Sequence, residues 1–278
     1  MNSLASSKSS YVAGLTGLGE RVPLDWLLTH PRGYLLHFPI WDAAAAEAKI
    51  EEFRGMGVEQ IAFEGPHILE TIPILGKGNT SIVLKVLTKK GAYAAKIRRS
   101  DADRVGFDEE ARLLSVANSV GVGPKLVAWG CEALIMELIE GPYLSDWIRK
   151  LTPLDAGVLR GVFRQLVDQA RRLDKVGLDH GELVRLKHHT IMRGFEPVII
   201  DFESAGTARR VANVTTVIQS LFLNTKASLV VERIMGLPER EGLLAALREY
   251  RREKSEENYL VLLRAAGLEK DFTPAGAP

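Results

Sequence analysis

The sequence has few cysteines, no long apolar run and almost no net charge, so it lacks the features of disulfide-stabilised, membrane-spanning and nucleic-acid-binding proteins respectively. Its 278 residues include one cysteine, Cys131, so an internal disulfide is excluded and a reducing cytoplasm is the expected compartment. Acidic and basic residues nearly cancel at a net charge of +1, which gives no electrostatic case for bulk binding to nucleic acid or to a membrane. No apolar run approaches the roughly eighteen residues of a membrane span. A hydrophobic share of 46% predicts a globular protein with a substantial core.

The N-terminal part is predicted to extend the sheet of the segment that follows it. Residues 1–10 are rich in serine and are predicted to be disordered. Two predicted strands, at 34–38 and 58–63, flank a predicted helix at 43–56 that Asp42 can cap. We expect this β-α-β unit to pack on the neighbouring sheet, and a separate recognition module is the alternative.

Residues 72–97 carry a glycine-containing turn and, one hairpin later, a lysine. Apolar and β-branched residues predict three short antiparallel strands, at 72–75, 82–87 and 93–97. Because glycine has no Cβ to block close approach, the turn between the first two strands can offer N–H donors to a polyphosphate. The nucleotide contacts predicted on this turn are Gly76, Gly78, Asn79 and Ser81. A glycine hairpin in an ordinary β-meander is the alternative.

The third of these strands contains Ala94-Ala95-Lys96-Ile97. It matches the V-A-I-K strand of protein kinases, whose lysine contacts the α- and β-phosphates of ATP. A helix is predicted at 104–118, and in kinases a helix glutamate pairs with the strand lysine. Glu110 is the first candidate for that partner and Glu109 is the second. A solvent-facing carboxylate on an amphipathic helix is the alternative.

The segment Ile135-Met136-Glu137-Leu138-Ile139-Glu140-Gly141 resembles the linker between kinase lobes. The likeness implies that Met136 lies beside the adenine. It also implies that the backbones of Glu137 and Ile139 hydrogen-bond the purine edge. A buried strand that ends in a polar turn would have the same pattern.

Two further motifs carry the catalytic resemblance. His180-Gly181-Glu182-Leu183 is similar to the kinase H-R-D-L or H-G-D-L loop, and Asp201-Phe202-Glu203 is similar to D-F-G. Glu182 and Asp201 lie 19 positions apart, which leaves room for one hairpin between them. In this order the motifs resemble the reduced, RIO-like branch of the protein kinase superfamily. The likeness is closest to a family of predicted archaeal serine/threonine protein kinases and covers roughly residues 75–216.

The resemblance implies an α+β, two-lobed protein-kinase-like fold without a long activation segment. Its β-rich N-lobe would cover 71–138 and its α-helical C-lobe 139–278, where apolar residues recur at helical spacing. Residues 1–70 would form the N-terminal extension. The implied cofactors are ATP and Mg²⁺.

The resemblance also implies site residues, with departures from the family pattern. Glu182 would replace the usual catalytic aspartate, and Asp201 would bind the magnesium. The usual magnesium-binding asparagine is missing, and the candidates for its place are Lys187, His188 and His189. A lysine there could offset phosphate charge in place of a second metal ion, and a neutral histidine could bind one, so the choice among the three stays open with His189 as the candidate metal ligand. A solvated turn at these three residues is the alternative.

The expected activity is transfer of the γ-phosphoryl of Mg·ATP to a serine or threonine hydroxyl of a protein, the chain's own hydroxyls included. A catalytically weak nucleotide-binding regulator is one alternative. A small-molecule kinase of the aminoglycoside or sugar type is another, since such kinases share an H-G-D loop. Basic residues such as Arg209, Arg210 and those at 248–252 leave nucleic acid as a less favoured partner, a salt-bridged helix surface being the simpler explanation.

Overall fold

The computed structural model describes residues 19–269, so the predicted disorder of residues 1–10 lies outside the described residues. The chain divides into two units. The first contains the described part of Met1–Phe107 together with Val127–Leu138. The second contains Asp108–Leu126 and the described part of Ile139–Pro278. The N-terminal extension therefore shares a unit with most of the predicted N-lobe, while residues 108–126 belong with the helix-rich part.

The first unit is built on a seven-stranded sheet and a separate two-stranded sheet. In chain order the strands are β1 (Glu20–Pro23), β2 (Val58–Phe63), β3 (His67–Leu69), β4 (Ile72–Ile74), β5 (Gly76–Lys77), β6 (Ser81–Thr88), β7 (Gly91–Arg98), β8 (Leu126–Trp129) and β9 (Ala133–Glu137). The large sheet has the order β1-β2-β6-β7-β9-β8, with β5 also paired to β6, and β3 and β4 form the small one. The pairings β1–β2, β2–β6, β6–β7 and β7–β9 are all antiparallel.

The N-terminal part continues this sheet, because β2 pairs with β6 along most of its length. Helix α1 (Ala43–Gly55) begins after Asp42, whose carboxylate accepts a hydrogen bond from the Ala45 N–H at 2.8 Å. The predicted strand at 34–38 is wrong, since Pro31–His37 forms a 3-10 helix. Two successive residues of this helix, Leu35 and Leu36, are both buried, whereas successive residues of a strand point to opposite faces. The extension is therefore not the expected β-α-β unit, and β1 is the antiparallel partner of β2.

The glycine turn and the lysine strand form largely as expected. The β6–β7 hairpin places Lys96 opposite Val83, and β7–β9 pairing places it opposite Leu134. The first predicted strand differs, because β4 pairs with β3 and only the short β5 reaches β6. The Gly78 N–H donates to the Ser81 carbonyl at 2.8 Å and closes the turn.

The second unit is mainly helical and carries one small antiparallel sheet. Its helices are α2 (Asp108–Ser119), α3 (Leu144–Arg149), α4 (Ala156–Lys175), α5 (Asn213–Ile218), α6 (Thr225–Met235), α7 (Arg240–Arg252) and α8 (Glu256–Ala265). Its strands are β10 (Thr190–Arg193) and β11 (Glu196–Ile199). A π-helix, Gln219–Leu223, continues α5, and α6 was not predicted. Strands followed by helices confirm the α+β class.

Helix α2 begins four residues later than predicted, and the preceding residues explain why. The Phe107 N–H donates to the Gly130 carbonyl at 3.3 Å. A Cβ on Gly106 would lie 3.3 Å from the Cα of Cys131. Residues 106 and 107 are thus packed on the β8–β9 turn of the first unit, and the helix starts only after them.

Within residues 19–269, no single helix has both the length and the apolar character to cross a membrane. Two consecutive segments, Asn213–Leu223 and Ser228–Met235, meet that test together by length and composition but are bent by 73°. Val214, Val217 and Ile218 of the first segment are buried in the second unit.

We expect Gly33→Ala to lower the free energy of unfolding by about 1–3 kcal/mol, because overpacking forces backbone to shift. A Cβ at this position would lie 1.7 Å from the backbone oxygen of the buried Leu27. Gly55→Ala is the matched control in the same unit, since nothing lies within 4 Å of its Cβ. Urea unfolding of both variants measures the difference, and equal stabilities would contradict the packing assigned to Gly33.

Candidate functional site

In the second unit, His189 lies between the two carboxylates of the predicted motifs. Its Nδ1 is 3.6 Å from Oδ2 of Asp201, and its Nε2 is 3.9 Å from Oε2 of Glu182. Burial lowers the pKa of His189 below its ordinary value, although both carboxylates act to raise it. The imidazole is therefore neutral at pH 7, and a ring nitrogen can accept a hydrogen bond or bind a metal ion.

The backbone of Asp201 has a φ of 71°, in the left-handed region that few residues other than glycine adopt. Such a conformation costs about 1–3 kcal/mol and persists only where the surroundings hold it. Both neighbours of Asp201 are anchored. The Ile200 N–H donates to the His189 carbonyl at 2.9 Å, and the buried Phe202 ring packs 4.9 Å from the ring of His180. Strain at this position favours a functional role for the carboxylate.

The imidazole of His180 is fully buried and fixes the loop that carries Glu182. Its Nε2 lies 3.1 Å from the Ile200 carbonyl oxygen, and its Nδ1 lies 3.4 Å from the Glu182 backbone nitrogen. These contacts fit a neutral ring that donates from Nε2 and accepts at Nδ1. Burial lowers the pKa of His180 to about 4, so the ring stays neutral at physiological pH. His180 is thus a positioning residue, which holds the backbone of Glu182 in place.

A buried polar junction that the sequence reasoning missed fixes the start of the same loop. Asn213, the first residue of α5, accepts the His180 N–H at 2.9 Å. Its amide donates to the Leu178 carbonyl at 2.7 Å and to Oδ1 of Asp174 at 2.9 Å. Tyr250 donates its hydroxyl to the other oxygen of Asp174 at 3.3 Å. The sequence shows an asparagine just before the largely apolar segment 214–223, but the partners of Asn213 are distant in sequence.

Asp179 holds the glycine of the motif in place. Its carboxylate accepts the N–H groups of Gly181 at 2.8 Å and of Ala212 at 3.0 Å, and pairs with Nε of Arg209 at 3.1 Å. Gly181 has a φ of +86°, and a Cβ there would lie 2.4 Å from the carbonyl oxygen of Ser204. This position therefore accepts only glycine.

The three candidates for the missing asparagine are placed differently. His189 is brought to both carboxylates, as described above. Lys187 accepts the Ser145 N–H at its carbonyl, and burial together with nearby Arg149 lowers the pKa of its amine. The lysine is therefore placed towards α3. His188 is exposed.

Tyr143 is a second residue that sequence reasoning missed. It precedes α3 and forms a β-bridge with Ile191 of β10. Burial raises the pKa of its hydroxyl, and the charges of Asp201 and Asp146 raise it further. The phenol is thus a neutral polar group in the electrostatic surroundings of Asp201.

In the first unit, the predicted lysine and the glycine turn lie on adjacent strands. The side chain of Lys96 is only 5% exposed, an uncommon place for an ammonium group. Asn79 is exposed at the tip of the turn, whereas Ser81 is buried. The Gly78 carbonyl accepts a hydrogen bond from Arg99 at 3.3 Å. Both backbone groups of Gly78 are thus hydrogen-bonded within the protein, and Ser81 contributes to the interior of the turn.

The remaining predicted residues also have defined places. Met136 is half-buried on β9 opposite Ala94, and Glu137 ends that strand. In the second unit, Ile139 is buried. Glu110 and Glu109 differ sharply: Glu110 is 5% exposed, whereas Glu109 is exposed and pairs with Arg112 at 2.7 Å. Of these two carboxylates, only Glu110 is held inside the fold.

Comparison of the chain with protein-family models and with curated proteins finds no match. The functional assignment therefore depends on the residues themselves and on their geometry.

We expect the free energy of unfolding to fall as the pH is lowered from about 6.5 to about 4, because the unfolded chain protonates His180 in this window while the folded loop does not. The contribution is at most about 3 kcal/mol. The charges of His189, Asp201 and Asp179 also act on the ring. His180→Gln removes only the protonation of His180, so urea unfolding should show a shallower pH dependence in the variant. An unchanged dependence would contradict the assignment.

Proposed function

We propose that the protein is an ATP-dependent phosphotransferase that moves the γ-phosphoryl of Mg·ATP to a serine or threonine hydroxyl of a protein. The observation that supports this proposal most strongly is the group formed by Glu182, His189 and Asp201 in the second unit. Phosphoryl transfer requires little covalent chemistry from the protein and depends on positioning and charge neutralisation. Two carboxylates on two separately anchored segments can supply a metal ligand and an acceptor for the hydroxyl proton.

On the first unit, the support comes from Lys96 and the glycine turn. The backbone of Lys96 is fixed within a central strand by pairing on both sides, and the residue is buried. A cation of this kind serves to hold the phosphates of ATP and to offset their charge. Gly76 and Gly78 have no Cβ to block the approach of a phosphate to this turn, although the Gly78 N–H itself donates to the Ser81 carbonyl.

The donor set fits a magnesium ion that is shared with the nucleotide. Within residues 19–269, no group of three or more His, Cys, Asp or Glu side chains is arranged to hold a metal ion by itself. Magnesium is commonly bound through one or two carboxylates together with substrate phosphates and water. Asp201 would supply the carboxylate, with His189 beside it. The bound ion would neutralise charge on the phosphates.

Glu182 is assigned as the group that accepts or orients the attacking hydroxyl. Its backbone is fixed through His180, while its side chain remains partly exposed and accessible to an acceptor. Neutral His189 separates this carboxylate from Asp201, so the two negative charges have different surroundings. The difference suits two distinct roles, a base and a metal ligand.

A nucleotide-binding regulator is the second candidate, favoured by the imidazole of His189 only 3.6 Å from the metal-binding carboxylate. An imidazole that stays on Asp201 would compete with the metal ion and slow transfer. Both candidates require nucleotide binding, and only the first requires turnover. A single-turnover assay with γ-labelled ATP separates them.

We expect Mg·ATP at a hundred times its Kd to stabilise the wild type by roughly 2.7 kcal/mol, and Asp201→Asn to lose most of this gain. Asparagine tolerates the left-handed backbone of this position, so the fold should be retained. Asp146→Asn, on α3 and ion-paired with Arg149, is the matched control and should keep the full gain. Thermal unfolding with and without Mg·ATP measures the effect. Equal gains in all three proteins would refute the metal assignment.

We expect Glu182→Gln to slow phosphoryl transfer about 10²- to 10⁴-fold with little change in ATP affinity, because a general base acts mainly in the transition state. Glu196→Gln, an exposed carboxylate on β11, is the matched control. Glu182→Asp should be milder, since it keeps the carboxylate. Single-turnover rates of the three variants test the assignment. It fails if Glu182→Gln transfers phosphate as fast as the wild type.

A further inference from the structure

The hydroxyl of Ser204 lies beside the carboxylate assigned as the base. Ser204 follows Asp201 by three residues and sits in a turn closed by the Ala205 N–H on the Phe202 carbonyl at 3.1 Å. Its Oγ donates to Oε1 of Glu182 at 3.4 Å. Ser204 is exposed, so packing in the protein interior does not force its hydroxyl towards Glu182. An acceptor hydroxyl must lie in this relation to a general base, and such contacts tighten when substrate binds.

The backbone of Ser204 is fixed to the loop that carries Glu182. Its carbonyl accepts a hydrogen bond from Arg209, which also donates to the Asp179 carbonyl at 3.2 Å. Gly181 packs directly against the same carbonyl, as its φ and its missing Cβ allow. Only residues 202–212 separate Asp201 from α5, which begins at Asn213. The segment is thus short and anchored, and the hydroxyl is presented at a defined place.

We infer that Ser204 is the acceptor of an intramolecular phosphoryl transfer, an inference that rests on the proposed function. The Ser204 oxygen attacks the γ-phosphorus of ATP and forms a new P–O bond. The bond from the γ-phosphorus to the β,γ-bridging oxygen breaks, and ADP leaves with that electron pair. The hydroxyl proton passes to Oε1 of Glu182.

The reaction stops after one phosphate per chain. The product places a phosphate of about −1.5 to −2 charge beside the Glu182 carboxylate, where like charges repel. The phosphorylated Ser204 side chain also occupies the place beside Glu182 that the hydroxyl of another protein would need. Phosphorylation of Ser204 therefore slows transfer to other proteins.

The experiment starts from full-length protein treated with a phosphatase, which is then removed. The protein is incubated with Mg²⁺ and γ-labelled ATP, with dephosphorylated casein as an added acceptor. Phosphopeptides are mapped by mass spectrometry, and ADP formation is measured in parallel. Ser204→Ala removes the acceptor, Ser204→Thr restores a hydroxyl, and Thr207→Ala removes an exposed hydroxyl of the same segment as the matched control. Glu182→Gln removes the base.

We expect label on Ser204 at a rate independent of protein concentration, with at most one phosphate per chain. Ser204→Ala should lose this label and still be stabilised by Mg·ATP, Ser204→Thr should regain it, and Thr207→Ala should match the wild type. In Glu182→Gln, labelling should fall at least about 10²-fold.

Labelled casein without label on Ser204 would overturn this inference and leave the proposed function standing. ADP formation without any labelled protein would overturn the inference too, since the phosphate would then pass to water. A labelling rate that rises with protein concentration, or a label that persists in Ser204→Ala, would overturn it as well. No labelled protein and no ADP would overturn both the inference and the proposed function.

Discussion

The candidate site depends on the buried polar junction around Asn213. Its amide, carbonyl oxygen and backbone N–H bind the end of α4, through Asp174, and the start of the loop at 178–180. Burial raises the pKa of Asp174, while the hydrogen bonds from Asn213 and Tyr250 act against that rise. Buried polar groups left without partners cost about 1–3 kcal/mol each, so this junction holds the loop in one conformation.

The contacts of this junction also fix residues further along the chain. His180 is fixed by the junction at its backbone and in turn fixes the Glu182 N–H with its ring. The same ring packs on Phe202, the residue after Asp201. A Cβ on Gly123 would lie 2.7 Å from the Phe202 ring, so the aromatic side chain fills its space tightly. The two carboxylates are therefore oriented by one connected set of contacts within the second unit.

Much of this could be predicted because the signals are local. The glycine turn and the Asp42 cap each depend on residues within a few positions of one another, and both form as expected. The 3-10 helix at Pro31–His37 could not be predicted in this way. A run such as Tyr34-Leu35-Leu36 suits a strand by composition, and burial of two successive leucines decides against it. Helix α6, which lies between the π-helix and α7, was not predicted.

The sequence by itself determined the order of strand-rich and helix-rich parts and the spacing of Lys96, Glu182 and Asp201 along them. Periodicity and short motifs are properties of neighbouring residues, and they survive without knowledge of the fold. The tertiary structure alone decided which of three consecutive residues, 187 to 189, reaches the carboxylates, and which of Glu109 and Glu110 is buried. Those choices depend on the direction of each side chain once distant segments pack together. That direction changes from one residue to the next, so no motif specifies it.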